Sequence, residues 1–128
     1  MEFPVTTFYA ALMGLLLVYL SDRVSRHRKQ FNVSLGTGSE EALERAIRAH
    51  GNFVEYVPLG LLLLMFLESD AGQDWLLHAL GFMLLVGRLL HAWGMEHPDA
   101  PISGRFWGTA LTWLMVLSAS LLNLWHLL

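Results

Sequence analysis

Cysteine is absent from this 128-residue chain, and charge is scarce at 15% of residues. Without cysteine there is no disulfide framework, no thiolate metal site and no thiol nucleophile, so any sulfur chemistry must come from a bound ligand. The net charge of -3, with no long basic run, provides no electrostatic footprint for nucleic acid and excludes it as a partner. The six histidines are scattered, none lying three or four residues from another, so no metal site is expected. Low-complexity tracts and internal repeats are lacking too. The first apolar segment has neither a basic region before it nor a small-residue cleavage site after it, and is expected to be a retained span rather than a leader.

What the chain has in abundance is apolar side chains: 55% are hydrophobic, with a mean hydropathy of +0.47, more than a soluble domain of this size normally carries. A bilayer core of about 30 Å needs roughly 20 helical residues. Four stretches come close: Phe3 to Leu20, Ala46 to Leu67, Trp75 to Met95 and Phe106 to Leu128. Breakers separate them at Gly36-Thr37-Gly38-Ser39, Ser69-Asp70-Ala71-Gly72 and His97-Pro98-Asp99-Ala100-Pro101. The sequence therefore predicts an all-α, single-domain bundle of four transmembrane helices over 1–128, with spans near 3–22, 42–67, 75–95 and 105–127. Short connections make sequential helices antiparallel. Ser39 followed by Glu40 to Glu44 reads as a capped helix start with acidic residues in its first turn, so the second helix should begin before lipid depth.

Direction follows from charge. The first connection holds Arg23, Arg26, Arg28 and Lys29, whereas the second holds Glu68, Asp70 and Asp74 without a cation. The positive-inside rule then places both termini outside the cytoplasm, and Arg105 beside the third connection on the cytoplasmic side. Trp75, Trp93, Trp107 and Trp125 lie near span ends, where interfacial aromatics belong.

Polar residues at lipid depth carry the functional argument, because a mid-bilayer charge costs on the order of 3 kcal/mol and demands a partner or an aqueous cavity. Arg45, Arg48, Asn52 and Glu55 are spaced by three, four and three residues, along one face of the second helix. Arg88 on the antiparallel third helix falls at the depth of Glu55, roughly 18 to 20 Å from the non-cytoplasmic boundary, which predicts that the two pair. Such a cluster could simply hold the bundle together. Two further guanidiniums, Arg45 and Arg48, are then left to receive a cytosolic anion of carboxylate or phosphate geometry. Alternatively they snorkel to lipid phosphates or pair with Glu41 and Glu44. His91, one turn past Arg88, could donate to such a ligand, and Arg105 could reach the same cavity or anchor to headgroups. His50 points elsewhere on its helix and joins the site only if it faces a neighbouring subunit.

The run from Glu44 to Leu59, with Arg45, Arg48-Ala49, Asn52, Glu55-Tyr56 and Pro58 in register, resembles the second-helix signature of the membrane-associated proteins in eicosanoid and glutathione metabolism, the MAPEG family. The segment Gly87-Arg88-Leu89-Leu90-His91-Ala92-Trp93-Gly94 is similar to that family's third helix, and the four-span layout extends the likeness to small bacterial members over nearly the whole chain. The resemblance implies a homotrimer in the bacterial inner membrane, with glutathione held between subunits near the cytosolic surface. Arg48, Asn52, Glu55 and Tyr56 match positions that hold the tripeptide, Arg45 and His50 positions lining the same site, and Arg88 a buried arginine. His91 and Met95 stand where several glutathione-using members carry two tyrosines, which removes part of that contact. Arg105 is the candidate for the arginine that activates the thiol, for attack on a lipophilic electrophile. Two other functions remain open at this level: a non-catalytic trimer that binds or presents lipid, favoured by the missing tyrosines, and a small transporter using Glu55 as a proton-coupled carboxylate. The second conflicts with an arginine at matching depth.

Overall fold

The computed structural model of the chain describes residues 1–70 and 73–128; the Ala71-Gly72 part of the expected second connection lies outside them. Four helices form in chain order: α1 (Pro4–Phe31), α2 (Glu41–Ser69), α3 (Asp74–Glu96) and α4 (Gly104–Leu127). All four are long and apolar enough to cross a membrane, and the bundle has an apolar outer surface around an interior that also holds a few polar groups. Leu15, Val18, Phe82, Leu117 and Leu121 are exposed, whereas Arg88, His91 and Thr112 are buried. That distribution fits a lipid surround, where exposed apolar surface costs nothing and polar groups must find partners inside.

Two helix ends differ from the sequence expectation. The first helix continues to Phe31, well past the apolar stretch that ends near residue 22, because hydropathy marks lipid depth and not the end of hydrogen bonding. Its protruding turns are supported by an Asp22–Arg26 pair at 2.6 Å, four residues apart, and by Arg28 and Lys29 at the negative end of the helix dipole. Arg28 also donates to the carbonyl of Gly36 at 2.8 Å and fastens the loop that follows. Ser39 is not a cap: Glu40 flanks the helix start without a side-chain bond. Ser39 itself sits at φ 63°, in a turn closed by the Glu40 N–H on the Thr37 carbonyl at 3.0 Å. Pro4 starts α1 in the first turn, where a missing N–H is harmless, and the Ser103 hydroxyl caps α4 by accepting from the Phe106 N–H at 3.2 Å.

Antiparallel neighbours put the cationic ends together. Arg23 forms an ion pair with Glu96, and the Tyr19 hydroxyl donates to the same carboxylate at 3.0 Å, joining α1 to α3 there. At the opposite end the Glu68 carboxylate accepts from the Val5 and Thr6 N–H groups at 2.7 and 2.8 Å. It thereby satisfies two of the orphan donors of α1 from another helix. The closest pair is α3 with α4. A Cβ on Gly87 would meet Thr112 Oγ1 at 2.8 Å and the Gly108 carbonyl at 3.0 Å, and one on Gly94 would collide with the Gly104–Arg105 backbone. Backbone contact of this kind is how helices associate where no hydrophobic force drives them. It also sets Arg105 directly beside the end of α3.

Candidate functional site

Three helices contribute to one cavity at the cationic end. On α2, Arg48, Asn52 and Tyr56 recur every fourth residue and so stack on one face; α3 supplies His91, and α4 supplies Arg105 and Trp113. These six residues line a space of about 380 Å³.

Beneath it lies Arg88, 2% exposed. Its guanidinium donates to the side-chain oxygen of Asn52, to Thr112 Oγ1 at 3.0 Å and, at 3.5 Å, to the Gly108 carbonyl. The Thr112 hydroxyl donates onward to that carbonyl at 2.8 Å. The guanidinium carbon lies 5.6 Å from the centroid of the Tyr56 ring, within cation–π range. Among the described residues no carboxylate pairs with Arg88, so neutral oxygens and a π face alone hold the buried cation.

The expected Glu55–Arg88 pair is therefore not made within the subunit. Glu55 is exposed, and the reason is angular. Arg88 meets α2 three residues earlier, at Asn52, and Glu55 lies about 60° around the helix from that residue. Because the Asn52 oxygen is engaged by Arg88, its amide N–H groups remain available to the cavity.

Of the residues singled out from sequence, Arg48, Asn52, Tyr56, His91 and Arg105 converge on the cavity, with Arg88 bonded to one of its walls. Arg45 lines an adjoining space of about 230 Å³ that shares Arg105 and Met95 with the first. Its guanidinium also reaches Glu41, four residues earlier, at 3.5 Å, in a pair open to water. His50 and Glu55 line neither space. Arg48 and Arg105 have no carboxylate within ion-pair distance among the described residues. The cavity thus carries two unneutralised guanidiniums at its mouth and a third below, an arrangement suited to an anionic ligand.

Beyond Arg105, sequence reasoning missed the α4 contribution. Thr112 holds Arg88, while Thr109, Phe106 and Trp113 line the cavity. The signal was present: Gly104 and Gly108, four residues apart in an apolar stretch, mark a close helix–helix face. Thr112, four residues beyond Gly108 on the same helix, then falls beside that contact.

Comparison with known proteins gives the chain a family. A family model described as the MAPEG family matches residues 6–125. The chain is also 40% identical over 123 residues, 96% of its own length and 92% of the relative's, to a protein of Escherichia coli named "Inner membrane protein YecN", with the same values in two strains.

Proposed function

Since this chain belongs to the MAPEG family, we propose that it is an inner-membrane glutathione-binding protein, a homotrimer with both termini outside the cytoplasm. In this reading it acts as a glutathione transferase or peroxidase on lipophilic electrophiles. The observation that carries the reading is the convergence of Arg48, Asn52, His91 and Arg105 on one cavity whose two arginines have no internal carboxylate partner among the described residues. Glutathione is a net anion with two carboxylates and one thiol. Arg48 and the Asn52 amide would hold a carboxylate, and His91 would supply a further polar contact. The cluster of Arg23, Arg26, Arg28 and Lys29 at the same end supports a cytosolic position for the cavity under the positive-inside rule.

Arg105 is assigned to the thiol. A guanidinium beside the sulfur favours the thiolate and lowers its pKa from about 8.5 towards neutrality. The thiolate then forms a bond to the electrophilic atom of an acceptor dissolved in the membrane, and the leaving group departs with its electron pair. With a hydroperoxide, the thiolate instead attacks the terminal oxygen, the O–O bond breaks, the alkoxide leaves and takes a proton to become the alcohol, and a second glutathione reduces the resulting sulfenic acid to give the disulfide and water. Glu55 and His50, outside the cavity of the single subunit, would join the site across the trimer interface.

The thiolate absorbance of bound glutathione at neutral pH tests the catalytic part. It is expected with the wild-type protein and should vanish in Arg105→Ala while the tripeptide still binds. Glutathione bound entirely as the thiol contradicts activation, and favours a non-catalytic lipid scaffold, in keeping with His91 and Met95 in place of tyrosines.

A further inference from the structure

Four of the five tryptophans lie near span ends, at positions 75, 93, 107 and 125, where an amphipathic ring satisfies both water and lipid. Trp113 does not. It lies nine residues into α4, about 14 Å along the helix from its cytoplasmic start, at a depth where an unpaired indole N–H is costly. That N–H is satisfied: Nε1 donates to the Tyr56 hydroxyl at 2.9 Å. The bond ties α4 to α2 across the side of the cavity, and it fixes an indole that is nonetheless 59% exposed. Phe106, seven residues earlier on the same face of α4, also lines the cavity and is 62% exposed. The cavity lining therefore combines two chemistries, the cationic and polar side chains of Arg48, His91 and Arg105 and the aromatic rings of Phe106, Tyr56 and Trp113.

An apolar aliphatic acceptor would be served by leucine or valine, which α4 has in plenty. A hydrogen-bonded tryptophan held with much of its ring uncovered offers a rigid π surface in addition to area. We infer that the aromatic part of the cavity is a stacking slot for flat, aromatic or conjugated electrophiles, and that Trp113 is the residue that selects them. This deepens the proposed glutathione site and rests on it: the cationic wall holds the tripeptide and the aromatic wall holds the ring of the acceptor. The Tyr56 hydroxyl positions Trp113, while the Tyr56 ring stays with Arg88.

Binding of three probes to detergent-purified full-length protein separates the possibilities without requiring turnover: glutathione, S-hexylglutathione and S-dinitrophenylglutathione. Trp113→Leu should weaken the dinitrophenyl conjugate about tenfold, the order of a lost aromatic pair, and leave glutathione and the hexyl conjugate within about twofold. Trp113→Phe, which keeps a ring, should recover most of the loss. Equal weakening of the aryl and alkyl conjugates, or no weakening of either, overturns the inference while leaving the glutathione site standing. Failure of all three probes to bind the wild-type protein removes the glutathione site itself, and the stacking slot with it. Because Trp113 is largely exposed, its replacement should not unfold the subunit, and an unchanged melting temperature in detergent checks this.

Discussion

The Arg88 guanidinium donates to the side-chain oxygen of Asn52 while Glu55, one turn further along the same helix, stays exposed. Asn52 is thus both a wall of the cavity and an acceptor for the buried cation, and its two roles are separable by mutation. Asn52→Ala removes an acceptor from a charge that has no carboxylate partner among the described residues, at a cost of about 1 to 3 kcal/mol. Glu55→Ala should change the stability of the isolated subunit by less than about 0.5 kcal/mol. Unfolding in detergent measures both, and a large loss in Glu55→Ala with none in Asn52→Ala would contradict the assignment.

How much of this was legible in the sequence depends on which coordinate is asked for. The helix count was: apolar run lengths indicated four long helices, and counting residues from span ends brought Arg88 within three residues of the α2 side chain that it meets. Azimuth between helices was not. A spacing of three or four residues tells which side chains share a face of α2, but not whether Asn52 or Glu55 is turned towards α3. Packing decides that, through Ala46, Ala49, Phe53 and Val57, all buried on α2. The α1 end was obscured for another reason, since a helix may continue past lipid on side-chain pairs that hydropathy does not register. The role of Glu68 was hidden in the same way: it counted as a loop charge, whereas it binds two α1 amides 62 and 63 residues away in sequence.

Close approach of α3 and α4 should be intolerant of even one methyl group. Gly94→Ala drives a Cβ into the backbone of Gly104 and Arg105, which cannot yield as a flexible side chain would. A loss of about 3 kcal/mol is expected, at the upper end of overpacking costs, together with displacement of Arg105 and loss of thiolate formation. Gly14→Ala and Gly51→Ala, where an added Cβ meets nothing within 4 Å, should be neutral or stabilising by up to about 1 kcal/mol. Equal effects at all three glycines would refute the packing account.

Glu68 substitutes for an N-terminal cap on α1, and its charge is part of that function. Glu68→Gln should destabilise by about 1 kcal/mol, and Glu68→Ala by up to about 2 kcal/mol. Faster hydrogen exchange at the Val5 and Thr6 amides is the accompanying signature, and unchanged protection of both amides would show the cap to be dispensable.

A chain without cysteine is suited to topology mapping by single introduced thiols. Ser34→Cys, in the loop beyond the cationic end, should react with an impermeant maleimide only after the cytoplasmic face is opened. Glu2→Cys should react from the outside of intact spheroplasts. The reverse pattern would turn the proteins over and put the cavity on the wrong side for cytosolic glutathione.

The central claim is that a cationic cavity on α2, α3 and α4 holds glutathione. Calorimetric titration of glutathione into the detergent-purified protein, beside Arg48→Ala, tests it most directly. Arg48 bonds to no other group in the subunit among the described residues, so its removal should spare the fold while weakening the tripeptide by about tenfold or more, as expected for a lost charge-assisted bond. Saturable wild-type binding that Arg48→Ala loses is the predicted result; no wild-type binding, or binding that Arg48→Ala leaves untouched, would contradict the account.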